Sequence, residues 1–361
     1  MTDVAGDARV AVVGSANADL VVEVPRRPGG GETLLGGDLA LLPGGKGANQ
    51  AAAAARCGAD VSFVACVGTD ANGGFLLSEL AAAGVNVEHV ARVDRPTGTA
   101  IIFLTPDGEN SIVVSPGANQ ALDVAAVEAV GAAGAAGGAG VAGAAGAAGA
   151  AGGVAQSGRA WREAQVVVLS LEIPLETALH VAAEARSAGA RVVFNAAPSV
   201  ELAVSVLELC DPLIVNEHEA LEVLGAGTGD PEAENYGRLA ERLLAAGARS
   251  VVVTLGADGA IVAERAGAGE AVRTGADSGA VPTSVLTTVP AYRVRAVDTT
   301  GAGDAFVGAV AGELAVGQSL TDAVRFATAV SAVSVQRVGA QSSYANREEI
   351  EAFISAQGVA Q

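Results

Sequence analysis

Lysine is almost missing from this 361-residue chain: 20 of its 21 basic residues are arginine, and the exception is Lys46. Basic charge is itself short, 21 residues against 40 acidic ones, so the formal net charge is −19. Such a surface repels polyanions, which argues against nucleic acid or an anionic membrane as partner, although a local set of donors can still hold a small anion. Cysteine is scarce and odd in number: Cys57, Cys66 and Cys210, far apart in sequence, suggest no disulfide framework and fit a reducing compartment. His89, His180 and His218 form no metal-ligand set, and GxSxG, HExxH and Walker A patterns are all missing. No strongly apolar run reaches the roughly 18 residues of a membrane span. The opening MTDVAGDARV lacks the basic and apolar parts of a secretory signal, so a cytoplasmic location is expected.

What the chain has is apolar residues, half of the total, enough for a large core. Short β-branched runs (9–13, 61–66, 166–171, 191–195, 213–215 and 250–254) alternate with Ala-rich helical stretches. Several runs are continuously apolar, as in strands covered on both faces, so the pattern predicts an α/β fold with a mostly parallel sheet. Two excursions, about 17–42 and 97–115, carry strand-like pieces without helices and predict a small antiparallel subsheet, either a cover for a site or plain surface hairpins. Residues 131–153 comprise ten glycines, twelve alanines and one valine, and predict a flexible insertion over about 131–158. A second loop insertion is expected over 265–289.

The strongest local signal is Asp298-Thr299-Thr300-Gly301-Ala302-Gly303-Asp304, at a strand-to-helix junction. Small residues there let backbone N–H groups converge at a helix N-terminus, which suits a phosphoryl group in transit, with Asp304 beside it as proton acceptor. The plainer alternative is that Asp304 caps the helix and the glycines make a tight turn. A second glycine-rich stretch, Gly44-Gly45-Lys46-Gly47-Ala48-Asn49-Gln50, holds the one lysine. A position that keeps lysine in an arginine-using chain points to a compact ammonium, a donor to a polyol hydroxyl or a phosphate; the alternative is a chance survivor on a solvated turn. Asn17 and Asp19, after the first strand, can hold vicinal hydroxyls or simply make a turn. Glu172 ends an apolar strand, as a ligand contact or a solvated end. Asn216 and Glu219 stand three apart at a helix start, as a capping pair or as a water-mediated magnesium and phosphate site. Thr254, Leu255, Gly256, Ala257, Asp258 and Gly259 form either a loop under a nucleotide or a plain turn.

Together these residues resemble the PfkB carbohydrate kinases, the ribokinase-like family of sugar and nucleoside kinases. GGKGANQ and DTTGAGDAF stand in the family's order, about 250 residues apart. The resemblance implies one domain over 1–361: a three-layer α/β/α fold whose mostly parallel sheet carries a small β-sheet lid, often the site of a homodimer. It also implies ATP-dependent phosphoryl transfer to a sugar hydroxyl. Asn17-Ala18-Asp19 with the full GGKGANQ favours D-ribose at O5; fructose, another pentose, 2-keto-3-deoxygluconate and nucleosides are the alternatives. A silent sugar-binding regulator would have lost the base or the anion hole, and both motifs stand intact. Carried over by position, Asp304 is the base, Gly301, Ala302 and Gly303 the anion hole, and Asn17, Asp19, Gly44, Gly45, Lys46, Asn49 and Glu172 the sugar set. Asn216, Thr254 to Gly259, Gly303 and Thr328 would meet the nucleotide, although Thr328 replaces the amide or imidazole usual there. Glu219 would hold Mg²⁺ through water. Asp298, Thr300, Ser334, Arg337, Gly339 and Ser343 would ligate an activating K⁺, some through carbonyls.

Overall fold

The structure, a computed structural model, describes residues 8–106, 110–133, 160–227, 229–266 and 284–358. The first strands in chain order are β1 (Arg9–Val13), β2 (Asn17–Glu23), β3 (Ala40–Gly44), β4 (Asp60–Gly68), β5 (Val90–Val93), β6 (Gly98–Leu104) and β7 (Asn110–Ser115). Then come β8 (Val166–Ser170), β9 (Arg191–Asn195), β10 (Leu213–Asn216), β11 (Ser250–Thr254), β12 (Ala260–Arg265) and β13 (Ser284–Val289). Nine of them form one sheet in the order β13-β12-β11-β10-β9-β8-β1-β4-β5, and the other four form a second in the order β3-β2-β6-β7. The large sheet is parallel from β11 to β5, and only β12 runs against it, pairing antiparallel with β11 on one side and β13 on the other.

Both faces of the large sheet are covered. Val10 and Val12 of β1 pack into one apolar layer and Ala11 and Val13 into the other; Val166 and Val168 of β8 divide from Val167 and Leu169 in the same way. All eight are at most 1 % exposed, and each valine or leucine so buried contributes roughly 1.5–3 kcal/mol. The continuous apolar runs therefore read correctly as two-faced strands.

Two helices set the position of everything that follows. Lys46–Arg56 and Ala302–Ala315 lie side by side on one face. Ala51 to Ala54 are buried, and a Cβ added to Gly308 would come within 2.4 Å of the Gln50 carbonyl oxygen. Only residues this small let the two backbones approach so closely. Each helix starts from a glycine with positive φ, Gly45 (90°) and Gly301 (72°), and neither has a side-chain cap. Both helix starts are thus brought to one end of the sheet; at the first of them the Lys46 and Ala48 N–H groups already donate to the Glu172 carboxylate and the Ser15 carbonyl.

Three expectations are corrected. The subsheet is not wholly antiparallel: the hairpins β2–β3 and β6–β7 join through β2 and β6 in parallel. The two strands are a pair from separate excursions, with Asn17 opposite Gly98, and so are not bound by hairpin geometry. The second insertion is shorter than expected, because Ser284–Val289 is a strand paired with Arg265–Ala260; its alternation of Ser, Thr and aliphatic residues suits an edge strand. Residues 267–283 lie outside the described residues. The Gly/Ala insertion likewise starts later, since the helix Val124–Ala133 runs through its first three residues; 134–158 lie outside the described residues.

Candidate active site

The carboxyl ends of the parallel strands deliver most of the polar residues singled out above, as open α/β sheets do. Glu172, just past β8, is no solvated strand end. Its Oε2 accepts the Ser15 hydroxyl at 2.6 Å, the Lys46 backbone N–H at 3.0 Å and the Asn17 amide at 3.5 Å. One carboxylate thus ties the loop after β1 to the start of the Lys46–Arg56 helix. Asn119 holds Asn17 from the other side, donating to Asn17 Oδ1 at 2.7 Å. The glycines make this fit possible. A Cβ on Gly47 would lie 2.6 Å from the Ser15 nitrogen, and one on Gly44 would strike the Asp19 carboxylate.

Asp304 lies in the first turn of Ala302–Ala315, 8 % exposed, and it does not cap that helix. Its carboxylate instead reaches the neighbouring helix, accepting Asn49 Nδ2 at 2.9 Å and Gln50 Nε2 at 3.2 Å. Burial raises its pKa, and Lys46 with the two amides only partly opposes that rise. Burial would lower the Lys46 ammonium, yet Asp304, Glu172 and Glu219 outweigh it and hold the group above its usual value. None of these attractions is a hydrogen bond, so the ammonium keeps its donors for a ligand. Asp19 is pushed up to about 7 by burial, and then by the charges of Glu172 and Asp304. Beside Asp304, the first bond closing the helix runs from Ala305 N–H to the Gly301 carbonyl. The Gly303 and Asp304 amides precede it and have no helical carbonyl to bond. Converging donors next to a buried proton acceptor can activate a hydroxyl and stabilise the anion it attacks.

Behind this point lies a cavity of about 750 Å³, walled by Asn216, Thr254, Gly256, Ala257, Gly259, Ala302, Gly303, Phe306 and Thr328 among others. Leu255 is not part of that wall, because it packs on the apolar core, and neither is the exposed Asp258. Asn216 and Glu219 form a capping box: Asn216 Oδ1 accepts the Glu219 N–H, and Glu219 Oε2 accepts the Asn216 N–H at 2.8 Å. Burial raises the Glu219 pKa against the pull of the Asn216 N–H and Lys46. A second cavity, of about 680 Å³, opens between the small sheet and the 297–300 and 338–340 segments, with Asp19 on its wall.

Asp298 is drawn to the end of the chain. Its Oδ2 accepts the Gly339 N–H at 2.7 Å, and its Oδ1 accepts the Thr300 N–H and hydroxyl at 2.9 and 2.7 Å. These bonds outweigh burial and hold its pKa below the usual value. Ser334 and Ser343 donate to the carbonyls of Ser331 and Ala340, whereas the Arg337 guanidinium turns away to Glu349. Among the described residues no cluster of three His, Cys, Asp or Glu side chains could hold a metal.

The sequence reading missed Ser15, Asn119, Asn195, Gln341 and Tyr344. Asn195 accepts from Gln50 at 3.0 Å, Gln341 donates to Asn49 at 3.0 Å, and the Tyr344 hydroxyl donates to the Gly301 carbonyl at 2.9 Å. The one available signal was that buried polar residues at strand ends must be partnered.

Known proteins of the same layout are close at hand. The chain is 37 % identical to ribokinase of Schizosaccharomyces pombe over 351 residues, covering 95 % of this chain and 96 % of that one. It is 32 % identical to deoxyribokinase of Salmonella typhimurium over 350 residues, covering 96 % and 98 %. The structure of Arabidopsis thaliana ribokinase complexed with ribose and ATP superposes with a TM-score of 0.74 at 30 % identity, over 96 % of this chain and 98 % of that one. Residues 7–347 match the family described as pfkB family carbohydrate kinase. With its buried Asp304 beside uncapped helix amides, the chain belongs to the pfkB family of carbohydrate kinases.

Proposed function

We propose that this chain transfers the γ-phosphoryl group of ATP to O5 of D-ribose, giving D-ribose 5-phosphate and ADP. The observation that carries the reading is Asp304, a buried carboxylate held by Asn49 and Gln50 at the mouth of a helix with free N-terminal amides. The sugar lies against Asn17, Asp19, Gly44, Gly45, Lys46, Asn49 and Glu172. ATP lies in the 750 Å³ cavity, with its base toward Thr328 and its phosphates toward Gly303. Asp304 takes the O5 proton as O5 attacks the γ-phosphorus, and the bond from that phosphorus to the ADP oxygen breaks. The Gly303 and Asp304 amides and Lys46 meet the charge on the moving group, while the Ala302 N–H of the same turn donates to the Thr299 carbonyl.

The four-stranded sheet is the lid over the sugar. Its exposed Leu41, Ile101, Ile112, Val113 and Val114 support a homodimer formed through it. Glu219, with Oε1 left over from its capping bond, fits a hydrated Mg²⁺, which when bound neutralises charge on the nucleotide phosphates. Asp298, the one carboxylate among the neutral oxygens of Thr300, Ser334, Gly339 and Ser343, suits a singly charged cation such as K⁺, and Arg337 can add only its carbonyl. The three unpaired, buried cysteines fit a cytoplasmic setting, and no helix among the described residues is long and apolar enough to cross a membrane.

A panel of D-ribose, 2-deoxy-D-ribose, D-fructose, 2-keto-3-deoxygluconate and adenosine, read by coupled ADP detection, tests the reading. The highest kcat/KM should fall to ribose, because losing one hydroxyl leaves buried acceptors of the sugar set unpaired. A higher value for any other sugar reassigns the substrate, and ribose binding without ADP release removes the enzyme reading altogether. For the cation, turnover in KCl should exceed that in tetramethylammonium chloride several-fold. Asp298→Asn should lose most of that difference, and equal rates in the two salts for the unaltered protein would remove K⁺ from the account.

A further inference from the structure

An ionised carboxylate only accepts hydrogen bonds, so Asn49 must turn its nitrogen toward Asp304. The amide oxygen left behind is buried with the rest of the side chain, 5 % exposed, and needs a donor. Gln341, 6 % exposed and 292 residues away in sequence, is that donor: its Nε2 lies 3.0 Å from Asn49 Oδ1. The second amide on Asp304 is less firmly set. Gln50 divides Nε2 between Asp304 Oδ1 at 3.2 Å and Asn195 Oδ1 at 3.0 Å, and its buried Oε1 has no partner among the described residues. The orientation of the base therefore rests mainly on Asn49, and that of Asn49 on Gln341.

We propose that Gln341 is a positioning residue that fixes the Asn49 amide so that Asp304 is held ionised and aimed at the sugar hydroxyl, a role that rests on the phosphoryl transfer proposed above. The turn Gln341–Ser343 is well placed for it. The residues flanking it donate from Gly339 to Asp298 and, through the Tyr344 hydroxyl, to the Gly301 carbonyl. One stretch of chain thus touches the base through Asn49 and the helix mouth through Tyr344. Without the Gln341 donor, Asn49 can reverse its amide, and an oxygen facing Asp304 disfavours the ionised form. The titratable groups facing Asp304 are Lys46, Glu172, Glu219, Asp19 and Tyr344, and all stay unaltered in the variants below.

Gln341→Leu keeps most of the volume and removes the donor. Its kcat for ribose should fall roughly tenfold, with the acid limb of the pH profile moved to higher pH. Its KM for ATP should hold, since Gln341 is no part of the nucleotide cavity wall. Gln341→Asn separates orientation from packing. It keeps an amide but draws it back by one methylene, so the donor no longer reaches Asn49 Oδ1. Its kcat should fall and its acid limb should move in the same direction as for Gln341→Leu, with the KM for ATP unmoved. If the leucine variant does not fold, the asparagine variant alone carries the test, and a lower kcat with an unmoved acid limb overturns the proposal. Unchanged kcat and acid limb in both variants also overturn it while the phosphoryl-transfer reading stands. If the unaltered protein makes no ADP with ribose, that reading falls and this role falls with it.

Discussion

Asp304→Asn is expected to lower kcat by roughly 10²–10⁴ while leaving the KM for ATP little changed. The asparagine has the same shape and hydrogen-bonds at the same place, but it cannot take a proton from the sugar hydroxyl. The fold should not suffer. Asp304 is an acid whose folded pKa lies above its ordinary 3.8, so the folded state binds that proton more tightly than the unfolded one. Stability attributable to this group is therefore greatest at low pH, and falls as pH rises from about 3.8 toward the folded pKa. A neutral side chain escapes that penalty. Gln50 can also turn its unpartnered Oε1 to accept from the new amide. The variant should thus unfold at or above the wild-type temperature at pH 8, and the difference should shrink on acidification, as calorimetry can follow. Turnover within threefold of the unaltered protein would take the base role from Asp304, and a large loss of melting temperature would show that the carboxylate is structural.

How the site is encoded explains what could be read in advance. Asp304, Lys46 and the glycines around them sit in two short stretches where local chemistry is dense, and composition alone isolates Lys46. The parallel sheet was readable too, because strands covered on both faces keep continuous apolar runs. The supports of the site are different. Asn119 holds Asn17 across 102 residues, Gln50 reaches Asn195 across 145, and Gln341 reaches Asn49 across 292. Asn119 and Asn195 are single amides in unremarkable local sequence, Gln50 closes the GGKGANQ stretch, and only the assembled sheet and helices give each its partner. Gln341 even lies between Gly339 and Ser343, two positions that the family resemblance assigns to a cation site. β13 was hidden by the Gly- and Ser-rich sequence before it, and its strand character comes from pairing with β12. Motifs expose the groups that touch substrate; the amides that aim them are set by tertiary contact and leave no periodic trace.

Lys46→Met should reduce kcat/KM for ribose by roughly 10²–10³, in the range of losing one donor to a transition-state anion. The ammonium faces Asp304, Glu172 and Glu219 at once, and its removal leaves three carboxylates with no cation among them. Removing a positive charge raises carboxylate pKa values, so Asp304 ionises at higher pH and the acid limb of the profile shifts upward. Lys46→Arg keeps the charge, and on a purely electrostatic account it should restore activity. The expectation is that it restores little. The side chain leaves the backbone between Gly45 and Gly47, which are packed against residues 14–17, and a planar fork cannot place its charge as a compact ammonium does. The chain itself argues the same way, since arginine stands at all 20 of its other basic positions. An arginine variant within threefold of the unaltered protein would reduce Lys46 to a mere charge. A methionine variant with an unmoved acid limb would detach the ammonium from Asp304.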